Sequence, residues 1–347
     1  MRLEPPAWWY ETDATWTARL LQPLAGIYGL IVKRRFQAVA SQKSNIPVIC
    51  IGNFTAGGAG KTPLAIFIAN QLGSLGHAAA FLTRGYGGTT VGPHYVDPTI
   101  DTAREVGDEA LLLARHAPVV VARNRPDGAN AIESTGVDAI VMDDGLQNPS
   151  LAKDLTIAVI DAEVALGNQR VIPSGPLRAP LDFQLGLVDA IVINHSDGKD
   201  PATGTSAQRF KFDQPTFEAQ IVPTADARKD LAGTPVVAFA GIGRPEKFFS
   251  TLRAAGASLK ATCSFPDHHR FSDTDATRLL ELGESNAARL MTTEKDWVRI
   301  DAHNGPLATL RQRATPLPIE LRLNQNDEER MINLLQRIVT KSNAITI

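Results

Sequence analysis

The residues best suited to chemistry lie close together, in the stretch Thr55-Ala56-Gly57-Gly58-Ala59-Gly60-Lys61-Thr62. Closely spaced glycines let backbone N–H groups turn toward one point. A lysine adds a mobile positive charge, and the threonine hydroxyl beside it is a hard oxygen donor. These are the parts needed to hold a nucleoside triphosphate: amides around the phosphates, Lys61 on the β/γ oxygens and Thr62 on Mg²⁺. The strict spacing G-x-x-x-x-G-K-[ST] would put its first glycine where Thr55 stands, so Gly57 and Gly58 must supply the flexibility.

Carboxylates and arginines follow at intervals. Asp143-Asp144-Gly145-Leu146-Gln147 closes an apolar run, Val137 to Met142. A carboxylate at the tip of a buried strand, downstream of a phosphate loop, suits Mg²⁺ binding; an Asp-Gly turn is the plainer alternative. Asp108 and Glu109 precede Ala110-Leu111-Leu112-Leu113, and by residue type alone they serve the first turn of a helix. Arg84 lies in Thr83-Arg84-Gly85-Tyr86-Gly87-Gly88, and Arg123 and Arg125 follow the apolar run Pro118 to Ala122. The loop Gly167 to Arg178 holds Asn168, Arg170 and Arg178 among glycines and prolines, a composition suited to gripping an anion.

Such groups need a frame. Pro47 to Ile51 reads as a buried parallel strand ahead of the glycine loop. Pro63 suits the first turn of the apolar helix after it. Further short apolar runs, Ala78–Leu82, Leu155–Asp161 and Val188–Asn194, alternate with helical patterns. The expected fold is α/β and P-loop NTPase-like: a mostly parallel sheet with helices on both faces, plus a smaller C-terminal α/β domain. The expected organisation is an N-terminal segment over 1–46, a P-loop kinase domain over 47–200, a crossing over 201–232 and a C-terminal domain over 233–347. The crossing contains two alternating stretches, Gln208–Phe212 and Glu218–Val222. In the last domain, Gly241-Ile242-Gly243 lacks the third glycine of a dinucleotide turn, Ser272 caps a helix, and a final helix follows Glu328.

Composition narrows the partners. The chain has 347 residues, 44% hydrophobic and 21% charged, enough for a sizeable core, and a net charge of −2 gives no argument for nucleic acid. Only Cys50 and Cys263 occur, which fits a reducing cytoplasm, and the opening residues do not read as a secretory leader. The N-terminal segment differs from the rest. Trp8, Trp9, Tyr10 and Trp16 lead into Leu20, Leu21, Leu24, Ile27, Leu30 and Ile31, followed by Lys33-Arg34-Arg35. The apolar part is too short to span a bilayer. Aromatics and a basic cluster around an apolar stripe suit a helix lying on an anionic membrane, and a helix packed on its own domain is the alternative.

Several motifs then agree in order. The glycine loop with GKTP, TRGYGG, GDE, DDGLQ, GNQRVIPSGPLR, FAGIGRPEKFF, FPDHHRFS and TTEKDW run from about Val48 to Trp297. Together they resemble the tetraacyldisaccharide 4'-kinases, the lipid A 4'-kinases of Gram-negative bacteria, whose glycine loop has the same form. The resemblance implies ATP- and Mg²⁺-dependent phosphorylation of the 4'-hydroxyl of a tetraacylated, 1-phosphorylated glucosamine disaccharide, giving lipid IVA. It also implies a membrane-bound N-terminal helix on the cytoplasmic face of the inner membrane, and a working pair of Asp108 with His268, His269 being adjacent. Rebuilt from phosphoryl-transfer chemistry, Lys61, the loop amides and Mg²⁺ on Thr62 with Asp143 or Asp144 would neutralise charge. Asp108 would accept the hydroxyl proton, with His268 orienting it. Glu109, Arg125 and Arg170 are further metal or substrate candidates, and the substrate's 1-phosphate would need Arg170 or Arg178. The P-loop and His268 fall on opposite sides of the crossing, so the site is expected in an interdomain cleft. The competing readings are a soluble kinase of a small metabolite and a nucleotide-switch module. A GTPase-type N/T-K-x-D motif is not recognised at a suitable place.

Overall fold

The computed structural model describes residues 6–11, 15–196, 210–300 and 304–343. Thirteen strands are found among them: β1 (Val48–Gly52), β2 (Ala79–Thr83), β3 (His94–Tyr95), β4 (Val119–Val121), β5 (Ala139–Asp143), β6 (Leu155–Asp161), β7 (Ala190–Ser196), β8 (Thr216–Pro223), β9 (Pro235–Ala240), β10 (Ser258–Ser264), β11 (Arg289–Thr293), β12 (Thr315–Leu317) and β13 (Ile319–Leu323). They form a nine-stranded sheet, β13-β8-β7-β6-β1-β5-β2-β4-β3, and a four-stranded sheet, β10-β9-β11-β12. All pairs are parallel except β13 with β8 and β3 with β4, both at the edges of the large sheet.

Strands β1, β2, β4, β5 and β6 are buried at every position, as expected for a sheet covered on both faces. Leu64, Ile68 and Leu72 of the helix Lys61–Ser74 are fully buried on one face, together with Met331, Leu335 and Val339 of the helix Gln325–Asn343. Burial of each such side chain is worth about 2 kcal/mol. Separate apolar clusters cover the other face and the second sheet.

The boundaries differ from the sequence expectation at two places. Within the expected crossing, Thr216–Pro223 is strand β8 of the large sheet, because Ile191 to Ser196 of β7 pairs with it in register. Of the other alternating stretch, 208–209 lie outside the described residues and 210–212 form no strand. The segment from Ile319 onward returns from the second unit: β13 zips antiparallel onto β8, and the last helix packs on the first core. The second unit therefore starts near Pro235, ends near β12, and is held by chain connections at both ends.

The helix Trp16–Ala38 lies against the body on a narrow stripe of small residues, Ala18, Ala25 and Gly29. A Cβ on Gly29 would sit 3.2 Å from Pro180, so this close approach depends on the missing side chain. The large apolar residues face outward: Trp16, Leu20, Leu24, Ile27, Leu30 and Ile31 are each more than half exposed. No helix of the described residues is long and apolar enough to cross a membrane.

Candidate active site

The glycine loop runs from β1 into the helix Lys61–Ser74, at the C-terminal edge of the sheet where open α/β folds bind ligands. Gly60 caps that helix with φ of +96°, and a Cβ there would sit 2.7 Å from Asn194 Nδ2. Only glycine meets both demands. Asn53 braces the loop from inside, its Nδ2 donating to the carbonyls of Thr55 (2.7 Å) and Gly57 (3.1 Å). Ala56 N–H donates to Pro176 O at 2.8 Å, and Asn194 Nδ2 donates to Ala59 O at 3.2 Å. Gly58 has open space around its α-carbon, so the middle of the loop is unobstructed. Lys61 and Thr62 are buried at the helix start, where unpaired N–H groups and the helix dipole favour an anion.

Asp143 ends β5, the strand beside β1, and Asp144 follows it. Lys61 Nζ lies 3.7 Å from Asp144 Oδ1, and Arg178 Nη1 donates to the same oxygen at 2.8 Å. Burial works against ionisation of Asp144, but Lys61 and Arg178 outweigh it and hold its carboxyl below the usual range. Asp143 has the opposite balance. Burial and then the nearby charge of Glu109 push it up to about 7, and both its oxygens are buried without a partner. An orphaned carboxylate, the second carboxylate that follows it and the Thr62 hydroxyl at the end of the glycine loop are hard oxygen donors. That chemistry fits Mg²⁺, which takes a carboxylate or two and completes its shell with water and phosphate. Among the described residues, no group of three or more His, Cys, Asp or Glu is arranged to hold a metal by itself.

Asp108 begins the short helix Asp108–Leu113 after Gly107, which has φ of +90° and where a Cβ would sit 2.7 Å from the Tyr86 carbonyl oxygen. Across from it stands the second unit. Arg299 donates to Asp108 Oδ2 through Nε (2.8 Å) and through Nη2. His268 Nδ1 lies 3.3 Å from that oxygen. Glu109 pairs with Lys295 at 2.7 Å. Burial alone would raise the Asp108 carboxyl, but His268, Arg299 and Lys295 overcome it and hold the group well below the carboxylate range. Lys295 is pushed above the usual lysine range: burial opposes its charge, and Glu109 and Asp108 prevail.

His268, with φ of +58°, points at Asp108 and takes the edge of Tyr86 at 5.9 Å between ring centres. His269 points elsewhere. Its Nε2 sits 3.0 Å from Asp275 Oδ2, and its ring stacks on Phe265, which makes it part of the capping structure of the helix Asp273–Ser285.

The other predicted residues divide. Arg84 is exposed at the end of β2, and Arg125 is buried beside it. Burial first, then the charge of Arg84, lowers Arg125 to about 10, with Asp144 opposing. Its Nε is buried without a partner. Arg178 is committed to Asp144 and to Thr55 O (3.0 Å). Asn168 is an internal brace: it donates to Ser174 O (3.0 Å) and accepts from Arg170 N. Arg170 leaves the phosphate loop altogether and reaches Gln22 of the N-terminal helix. It lines a cavity of about 250 Å³ there with Ala25, Gly29, Val171 and Pro180. Glu109, expected as a metal candidate, has its carboxylate on Lys295.

Sequence reasoning missed Lys295 and Arg299, which sit four residues apart and so share a face of the helix Glu294–Arg299. It also missed Asp161. This buried carboxylate ends β6 as Asp143 ends β5, and Arg244 and Lys247 of the second unit pair with it, Lys247 at 3.2 Å.

A parallel sheet, a glycine loop with Lys-Thr and a carboxylate at the tip of the neighbouring strand define a P-loop phosphotransferase. The comparisons make this more specific. Residues 17–339 match the tetraacyldisaccharide-1-P 4'-kinase family, and the chain belongs to it. A tetraacyldisaccharide 4'-kinase of Methylobacterium nodulans is 48% identical over 94% of this chain and 93% of its own. One from Paramagnetospirillum magneticum is 46% identical over 92% and 94%. The crystal structure of LpxK from Aquifex aeolicus in complex with ATP superposes with a TM-score of 0.73 at 25% identity, covering 93% of this chain and 99% of that one.

Proposed function

We propose that this chain transfers the γ-phosphoryl group of ATP to the 4'-hydroxyl of tetraacyldisaccharide 1-phosphate, forming lipid IVA at the cytoplasmic face of the inner membrane. The observation that carries this reading is the meeting of Asp108 with His268 across two units, beside the loop that holds Lys61. Loop amides from Thr55 to Gly60 and Lys61 bind the phosphates. Thr62, Asp143 and Asp144 would hold Mg²⁺, which supplies charge neutralisation on the transferring group. Asp108 takes the 4'-hydroxyl proton, which leaves late in a loose transition state, so a carboxylate of low basicity suffices when well placed. His268 orients that carboxylate. Arg84 and Arg125, close to each other after β2 and β4 and near Asp144, would add positive charge toward the transferring phosphate.

The substrate's acyl chains keep it in a bilayer, and the outward apolar face of the helix Trp16–Ala38 provides the means of approach. Transfer of each large side chain from water to lipid contributes on the order of 1–2 kcal/mol, and Lys33, Arg34 and Arg35 add attraction to anionic headgroups. Exposure of this face disfavours a soluble kinase of small metabolites. Arg170, at the foot of that helix, is better placed than Arg178 for the substrate's 1-phosphate. The test is direct: purified protein, ATP, Mg²⁺ and the tetraacylated disaccharide 1-phosphate in mixed micelles should yield a bisphosphorylated lipid with the new phosphate on the 4' oxygen. ATP consumption without that product contradicts the reading.

A further inference from the structure

We propose that Arg299 is a positioning residue that assigns the two oxygens of Asp108 to different tasks: Oδ2 is held by the second unit, and Oδ1 is the one that takes the acceptor's proton. The inference rests on the reading of Asp108 as proton acceptor. Arg299 reaches the site from a rigid frame. Its Nη1 donates to Gly241 O and to Asp296 Oδ1, both at 2.7 Å. Asp296 is fully buried and accepts from Gly241 N–H (3.0 Å) and Thr293 Oγ1 (2.7 Å). From that anchor Nε and Nη2 both fall on Asp108 Oδ2, and Nη2 also lies 3.1 Å from His268 Nδ1.

A guanidinium has donors only. His268 Nδ1 stands between Nη2, at 3.1 Å, and Asp108 Oδ2, at 3.3 Å. Oδ2, crowded by two N–H groups and the imidazole, has no room for a substrate hydroxyl. Among the described residues, Oδ1 accepts the Glu109 N–H alone, at 3.1 Å, which leaves a lone pair for the acceptor. In the transfer, the acceptor O–H bond breaks as its oxygen bonds to phosphorus, the proton passes to Oδ1, and the P–O bond to ADP breaks. Arg299 touches neither nucleotide nor acceptor. Its contribution is geometry, delivered only while the second unit is docked. A lysine offers one point charge instead of a fork and cannot hold Oδ2, the imidazole and Gly241 O at once.

The experiment compares Arg299→Ala with Asp108→Asn in the full chain. Arg299→Ala should lose about 100-fold in kcat, with KM for ATP within about twofold. Millimolar guanidinium should restore at least about tenfold, saturably, while equal concentrations of sodium or tetramethylammonium should not. Arg299→Lys should recover little. Should Arg299→Ala fail to fold, Arg299→Gln is measured instead and should lose about 30-fold in kcat at unchanged KM. A kcat within about threefold of wild type in the folded variant, or recovery by any salt, overturns the proposal even though Asp108→Asn is inactive. An active Asp108→Asn would instead remove the reading on which it rests.

Discussion

The nucleotide cradle and the acceptor-side cluster are built in different ways. The cradle is almost wholly local: loop, lysine and threonine lie within one strand–loop–helix unit, and Asp143 and Asp144 come from the adjacent strand. Its braces, Asn53, Pro176, Arg178 and Asn194, all belong to the same unit. The acceptor-side cluster is distributed. Asp108 and Glu109 come from the first unit, and His268, Lys295 and Arg299 from the second. At the far side of the seam, Asp161 is held by Arg244 and Lys247 in the same manner. The cradle can therefore bind ATP whatever the second unit does, whereas Asp108, the proposed proton acceptor, is set only when the two units meet. Binding and turnover should separate on mutation.

The sharpest break in that separation is Lys61→Met, which acts on the side shared by both functions. Turnover should fall by about 10³-fold, and ATP affinity, read by calorimetry, should fall with it. Unchanged ATP affinity would show that the loop lysine is not a phosphate ligand. Asp161→Ala cuts the far seam: Lys247 loses its Asp161 partner, and Arg244 keeps Glu163 at 3.1 Å. It should cost about tenfold in kcat while ATP affinity moves less than about twofold. Equal losses in both would merge the two regions into one.

A third prediction concerns the membrane. Ile27→Asp with Ile31→Asp places charge on the outward face and touches neither region. It should abolish sedimentation with vesicles containing anionic lipid and raise KM for micellar substrate about tenfold, with kcat nearly unchanged. Retained sedimentation would remove this helix from the docking role. The smallest effect is on stability against pH. The Asp108 and Glu109 carboxyls lie below their unfolded values of about 3.9 and 4.3; for Glu109 the Lys295 ammonium is the main cause, with burial opposing. Their stabilisation is therefore complete above those unfolded values and lost as pH falls toward the folded ones. Thermal melts should rise modestly from about pH 7 to 5, where Asp143, raised by burial to about 7, takes up its proton, and decline below about pH 4.5. A decline centred on neutral pH would point to another group.

The two regions also differ in how far sequence reveals them. The cradle was legible because its physics is local: glycines, Lys61 and Thr62 act through neighbours a few residues away, between two apolar runs. Asp143 could be placed because an apolar strand ends in it. The roles proposed for Asp108 and His268 came through the motifs FPDHH and GDE, since by residue type Asp108 reads as ordinary helix-start chemistry. Only folding distinguishes His268 from His269: one is turned by a positive φ toward Asp108, and the other is fixed by Asp275 and Phe265. Arg299 and Lys295 had only a faint signal, a four-residue spacing after a strand tip. Asp161 had a strand-tip position like that of Asp143, but no neighbouring motif to give it meaning. Strand β13 was missed because its partner, β8, lies about a hundred residues earlier, and pairing over such a distance leaves little local trace.

The claim that binding is local and chemistry is shared is tested most directly by Asp108→Asn, assayed beside wild type for ATP affinity and for 4'-phosphorylation of the tetraacylated disaccharide 1-phosphate. The account predicts ATP affinity within about twofold of wild type and turnover reduced by 10³-fold or roughly so. Turnover within about tenfold of wild type would contradict it.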